Sequence, residues 1–331
     1  MSREVKRIQW IDYLKGLCMV SIIMHHLAWP EWYARFLYPF ELAGFFFVSG
    51  YMYNVKSSFQ DFLVVKVRTL LVPVLIFGLL NTILSYIYPG SVFTERLIGL
   101  IVQLPGRWDD LWFVACLFTM SLIFYPIVKY AKSSVSKSVI VAALAITSAL
   151  YTYGDTPDLP WHLQNACVFL PFMLLGYMAK RTNVGSKILE KLRTGRALLL
   201  ILICYLPLIF ICRNYPIDVH ILNYGNLHVF YLSALLGTSL ILSVAMNLEC
   251  RFGARGLKWL QYIGKNTLVY YAFQSKVITI VIAALAALNI STSSYAANFL
   301  TALLVCVVLI IPVEFINRIC PFLLGRQNKH K

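Results

Sequence analysis

The sequence predicts an all-α integral membrane protein of about ten transmembrane helices, with both termini cytoplasmic. Three observations carry that expectation. The 331 residues are 60% hydrophobic and only 13% charged, with a mean hydropathy of +0.72. The apolar residues fall in long runs separated by short polar segments. The basic residues, finally, sit overwhelmingly on one side of the topology those runs imply.

The apolar runs extend from Ile11 to Trp29, Phe36 to Tyr53, Val67 to Tyr88, Leu111 to Tyr130, Val139 to Tyr153, Ala166 to Ala179, Ala197 to Cys212, Val229 to Met246, Tyr262 to Leu288 and Tyr295 to Ile316. The fifth and sixth are short for a hydrocarbon core of about 30 Å. With the N-terminus inside, 23 of the 29 basic residues fall in the tails and the cytoplasmic loops. Only Arg35, Arg96, Arg107 and Arg213 fall outside, and Lys15 and Lys276 lie within or at the edge of spans. The net charge of +15 is therefore a topology signal rather than a nucleic-acid footprint. The first run carries Asp12, Lys15 and two histidines and no small-residue cleavage site, so it reads as a retained span rather than a signal peptide. The longest polar stretches, Pro89 to Asp110 and Lys180 to Arg196, are too short for a soluble catalytic domain. Residues 1–331 are thus expected to form one membrane domain whose chemistry is built from spans and short loops. The eight cysteines, mostly within apolar runs and without paired spacing, indicate neither a disulfide framework nor a metal site.

The first span places Lys15 and His26 eleven residues apart. At about 100° and about 1.5 Å per residue, they share a face about 16 Å apart along the axis. Ionisable residues inside a span are costly and mark function by default. His26 is the candidate general base, with a side chain suited to taking a hydroxyl proton near neutral pH; hydrogen bonding to a neighbouring helix is the plain alternative. His25 lies about 100° around the helix, so the two histidines are not expected to face one point. Lys15 suits a phosphate or carboxylate, snorkels to the interface, or pairs with Asp12 three residues earlier; all three readings stand.

In the second span, Glu41 either lines an aqueous cavity or pairs with Arg35, and the small residues of Phe45-Phe-Phe-Val-Ser-Gly-Tyr51 permit close helix approach. Lys66 and Arg68, entering the third span, fit an anionic ligand and equally fit topology. In the ninth, Gly264-Lys-Asn-Thr267 offers a helix start capped by Asn266 or Thr267, and Gln274 and Lys276 fit a cavity lining.

Taken in order, these motifs resemble the acyltransferase 3 family of membrane enzymes. The resemblance rests on Asp12, Lys15 and His26; Phe45 to Tyr51 with Ser49 and Tyr51; Lys66, Arg68 and Pro73; Leu111-Trp112-Phe113; Leu170-Pro-Phe-Met-Leu-Leu-Gly-Tyr177; and Ile263-Gly-Lys-Asn-Thr267. It covers nearly the whole chain. It implies a bacterial inner-membrane enzyme that transfers an acyl group, usually acetyl from acetyl-CoA, to a hydroxyl of a lipid-linked oligosaccharide or surface polysaccharide. No cofactor is bound permanently. In that frame His26 is catalytic; Lys15, Lys66 and Arg68 hold the coenzyme phosphates; Asp12, Glu41, Ser49, Tyr51, Trp112, Asn266 and Gln274 bind substrate or support the site. Glu41 and Gln274 stand where many relatives carry histidine, which leaves the acceptor class more open than the reaction. The rival from another class is a secondary transporter or flippase using His26, Glu41 and Lys15 as a path, although no paired Gly or Pro helix breaks appear. A third is a noncatalytic partner of a polysaccharide assembly machine.

Overall fold

The computed structural model describes residues 8–27, 31–55, 58–85, 92–107, 111–154, 156–212, 214–253, 256–292 and 294–325, the side chains at 31–37, 39 and 209 excepted. The chain is a helical bundle: α1 (Gln9–His25), α2 (Glu31–Met52), α3 (Phe59–Lys66), α4 (Val72–Ser85), α5 (Phe93–Val102), α6 (Trp112–Tyr130), α7 (Ser134–Tyr153), α8 (Leu163–Arg181), α9 (Asn183–Leu192), α10 (Gly195–Cys212), α11 (Leu227–Phe252), α12 (Lys258–Lys265), α13 (Thr267–Ala287), α14 (Tyr295–Val308) and α15 (Ile310–Ile319). No strand forms among the described residues, where a single bridge joins Asp218 and Asn223.

Among the described residues, seven helical segments are long and apolar enough to cross a membrane: Phe59–Ser85, Trp112–Tyr130, Ser134–Tyr153, Gly195–Cys212, Leu227–Phe252, Thr267–Ala287 and Tyr295–Ile319. The protein is a multi-pass membrane protein. The apolar runs read first, second and sixth hold α1, α2 and α8, which fall outside those seven: α1 has 17 residues, the apolar part of α2 that is described spans Phe40–Met52, and α8 carries polar residues at both ends. In the Gly195–Cys212 and Ser134–Tyr153 segments only 18% and 22% of the apolar window is covered by protein, and Leu199, Leu200, Ile146 and Leu150 point outward. Such faces suit lipid. Most of α1 and α8 is buried inside the bundle, so these helices can carry Asp12, Lys15, Gln164 and Asn165 at a cost to hydropathy but not to solvation, because protein and cavity surround them.

The centre is held by helices in backbone contact. A Cβ on Gly50 would lie 1.8 Å from the Met173 carbonyl oxygen, and one on Gly176 would lie 1.9 Å from that of Phe47. The Ser-Gly-Tyr and Leu-Gly-Tyr motifs are therefore the two sides of one α2–α8 crossing, the close approach that small residues allow in membranes. Gly16 against Leu260 and Gly264 against Asp12 do the same for α1 and α12, at 2.3 Å and 1.8 Å from the facing carbonyl oxygens. The start of α1 has no side-chain cap of its own. Instead Glu249 of α11, held by Arg193 at 3.2 Å, accepts from the Trp10 N–H at 3.0 Å and satisfies one of the open donors there.

Several boundaries differ from the hydropathy reading. The third helical segment begins at Phe59, eight residues before the expected Val67, because Ser58 caps it by accepting from the Asp61 N–H. The fifth and sixth segments are full-length rather than short: a Ser133–Ser136 capping box starts α7 in polar sequence, and α8 keeps polar residues at both ends. The ninth is two helices, since α12 ends at Lys265 and α13 starts at Thr267. The first helix stops at His25. The ends expected at Trp29 and Tyr88, and the side chain of Arg35, lie outside the described residues.

Candidate active site

Two cavities lie along α1, one toward each end. The first, of about 910 Å³, is bounded by Asp12, Lys15 and Met19 of α1, Ser49 of α2, Phe62 and Lys66 of α3, Phe113 of α6, Lys180 of α8, and Thr267, Leu268 and Tyr271 of α13. The second, of about 460 Å³, is bounded by His25 and His26, Tyr38 and Glu41 of α2, Arg107, Trp112, Asp218, His220, and Tyr271, Gln274 and Ser275 of α13. Tyr271 belongs to both walls. Its ring is edge-on to Phe113 with centroids 5.7 Å apart.

The first cavity is an apolar chamber with ammonium groups on three walls. A π-turn over Val67–Leu71 joins α3 to α4, with the Val72 N–H reaching back five residues to Val67. Pro73 follows and has no N–H to continue an ordinary ladder, so the widened turn accommodates it. That turn brings Lys66, Thr69 and Leu70 onto the cavity wall. The Lys66 ammonium rests 5.4 Å and 5.5 Å from the ring centres of Tyr53 and Phe62, and that of Lys180 rests 5.1 Å from Tyr51, attractive contacts that leave the cations un-neutralised. Tyr53 is itself fixed by donating to the Ser121 carbonyl at 2.6 Å. Ser49 lines the wall while its hydroxyl donates to the Phe45 carbonyl one turn back, at 2.9 Å.

The second cavity gathers acids and bases. The His25 Nδ1 faces a Glu41 carboxylate oxygen at 3.6 Å, and the other carboxylate oxygen accepts from the Ser21 hydroxyl at 2.9 Å. Glu41 is buried and lines this cavity, while the alternative pairing with Arg35 lies outside the described residues. Tyr38 packs tilted against the His25 ring, with centres 4.4 Å apart, and donates to Asp218 at 2.9 Å. The rings of Trp112, His162 and His220 form a triangle, with Trp112 5.2 Å and 5.5 Å from the two imidazoles and these 6.4 Å from each other. Gln274 is buried in the lining, and its Oε1 has no hydrogen-bond partner among the described residues. A buried acceptor left open beside a cavity is a costly arrangement unless something donates to it.

His25 and His26 both face this cavity, with ring centres 5.8 Å apart. That overturns the expectation that they would not. His26, the C-cap, still has a helical φ of −79°, so the step of about 100° from His25 holds, and both rings reach this cavity because it wraps the end of α1. His26 is the exposed member of the pair.

Of the residues singled out from sequence, Asp12, Lys15, Ser49 and Lys66 come together in the first cavity, and His26, Glu41, Trp112 and Gln274 in the second. Arg68, Tyr51 and Asn266 line neither. Arg68 sits in the π-turn facing away from the cavity, its carbonyl against Gly325, and its buried Nε has no hydrogen-bond partner among the described residues. Tyr51 stands one layer back, between Lys180 and Trp10. Asn266 is the N-cap of α13 but makes no side-chain cap. Its amide donates to the Tyr262 carbonyl at 2.9 Å and accepts from Asn317 at 2.9 Å, tying α12 to α15. Sequence reasoning passed over His25, Asp218, His220, Arg107, Lys180 and Tyr271. In the sequence His25 is set apart from His26, Arg107 counts only as an external charge, and Lys180 stands as the basic residue following the Leu-Gly-Tyr motif.

A family model described as an acyltransferase domain, acyltransferase 3, matches residues 8–314, a span that includes every residue lining the two cavities. The chain belongs to the acyltransferase 3 family. It is a membrane acyltransferase, and the transporter and noncatalytic readings give way to that assignment. Neither curated proteins nor solved structures yield a significant match. For an acyltransferase, the two chambers divide the requirements of the reaction. One offers an apolar recess lined by three lysines. The other offers imidazoles, carboxylates and an aromatic face suited to a hydroxyl acceptor.

Proposed function

We propose that this acyltransferase transfers acetyl from acetyl-CoA to a hydroxyl of a lipid-linked or surface glycan, in a bacterial inner membrane. The observation that carries the reading is Tyr271, the residue shared by a cationic chamber and an acid–base chamber. In this reading the ten apolar segments all cross the bilayer, both termini are cytoplasmic, and the first cavity opens to the cytoplasm where acyl-CoA is made. The coenzyme phosphates meet Lys15 and Lys66 while the extended pantetheine arm runs along α1. The thioester carbonyl reaches the neighbourhood of Tyr271. The acceptor hydroxyl enters from the opposite cavity, against Trp112 and Gln274. His26 removes its proton as the oxygen attacks the thioester carbon, the carbon–sulfur bond breaks, and the thiolate leaves to be protonated as coenzyme A. The axial distance of about 16 Å from Lys15 to His26 matches an arm that separates phosphates from thioester.

The test is surface-glycan NMR and mass spectrometry on cells carrying the wild type, His26→Ala or no gene. Loss of the same acetyl group in the last two supports the assignment. A His26→Ala protein present at the wild-type level that still acetylates the glycan overturns it.

A further inference from the structure

The donor cavity holds a cation not yet given a role. Lys15, Lys66 and Lys180 enter it from three different helices, and Asp12 is the one acid among its described lining residues. Lys66 and Lys180 make no salt bridge with a described residue, resting instead over aromatic rings. A chamber with that surplus suits a ligand bearing several negative charges at separate points.

The contacts also give the cations an order in depth. Lys180 lies over Tyr51, and Tyr51 packs edge-on against Trp10 at 5.0 Å. This puts Lys180 level with the first turn of α1. Lys66, over Tyr53, belongs to the same rim. Lys15 lies five residues beyond Trp10, about 7.5 Å further along the helix toward Tyr271. Coenzyme A has a matching order. Counting outward from the thioester come the pantetheine arm, the diphosphate, and then the ribose with its 3′-phosphate.

We propose that Lys180, with Lys66 across the rim, reads the 3′-phosphate of the donor while Lys15 holds the diphosphate, so that the enzyme distinguishes acyl-coenzyme A from its 3′-dephospho form. The inference rests on acyl-CoA being the donor. A dianionic phosphate facing two ammonium groups in an apolar chamber forms charge-assisted contacts that water at a surface would screen. The dephospho donor lacks the partner for both.

The experiment uses the full-length protein in lipid nanodiscs with acetyl-CoA and acetyl-dephospho-CoA, comparing wild type, Lys180→Gln, Lys66→Gln and Lys15→Gln. Lys180→Gln is expected to raise KM for acetyl-CoA roughly tenfold, the size of one charge-assisted contact, and to leave KM for the dephospho donor within about twofold. Lys66→Gln shows the same pattern, and Lys15→Gln raises both. Equal rises for the two donors in Lys180→Gln, or no rise in either, overturn the assignment. Should that variant not fold, calorimetric titration of the wild type decides, since equal affinities for coenzyme A and dephospho-coenzyme A overturn it equally. No turnover or binding of acetyl-CoA by the wild type instead removes the donor reading and this inference with it.

Discussion

Gly264→Ala tests how the site is positioned. A methyl group at this position would lie 1.8 Å from the Asp12 carbonyl oxygen, 2.7 Å from its carbon and 3.0 Å from its Cα. These are main-chain atoms of α1, so no side chain can rotate away to make room. Restoring a contact of even 3.0 Å requires α12 and α1 to separate by about 1.2 Å at the level of Asp12, itself buried in the donor-cavity wall. Overpacking of this kind typically costs about 1–3 kcal/mol, offset only in part by the better helix propensity of alanine, up to about 1 kcal/mol. Because Lys15 is one turn from Asp12, a shift of about 1 Å in the wall is expected to lower activity by up to about 10²-fold. Gly195→Ala is the control: nothing lies within 4 Å of its Cβ position at the start of α10. Melting of the detergent-solubilised variants, read alongside acetyl transfer, should show Gly264→Ala well below wild type and Gly195→Ala at or above it. Equal melting temperatures for the two would refute the reasoning from backbone contact.

Glu41→Gln keeps an acceptor for the Ser21 hydroxyl but removes the charge facing His25, so activity should drop about 10–100-fold, up to the lower end of general-base effects, without a change in melting temperature. If its rate matched wild type, the His25–Glu41 pair would have no part in the reaction. Tyr271→Ala opens the wall common to both cavities; thiol release from acetyl-CoA should rise relative to acetyl-glycan formed, while Tyr271→Phe keeps the two coupled. An unchanged ratio in the alanine variant would show that Tyr271 does not shield the thioester from water. Asn317→Leu strands the Asn266 carbonyl oxygen that accepts its amide and should destabilise by about 1–3 kcal/mol, measured as a lowered melting temperature; a stability equal to wild type would mean that water replaces the lost donor.

The fold class was legible because a bilayer demands it. Long apolar runs have no other way to satisfy their backbone, and the seven spanning segments follow from hydropathy alone. Helix ends were less legible, because they depend on caps and local breaks: Ser58, the Ser133–Ser136 pair and Asn266 set boundaries that an apolar count misses. Within the site, the first-span motif was readable because Lys15 and His26 share one helix, whose geometry is local. Lys66 was readable from its charge at a span entrance, while Arg68, two residues later, was not separable from it until the π-turn put one on the cavity wall and the other behind it.

Composition, apolar periodicity and the ordered motifs by themselves determined that this is a helical membrane protein of the acyltransferase 3 family. Tertiary structure decided that the polar residues form two chambers sharing one tyrosine, that His25 faces the same cavity as His26, and that Asp218 and His220 approach α1 from some 190 positions away. The division has a physical cause. Solvation by lipid acts on each segment separately and is written in its composition, whereas a cavity exists only where several helices are held apart or together. Here the glycine contacts at 50, 176, 16 and 264 set those separations.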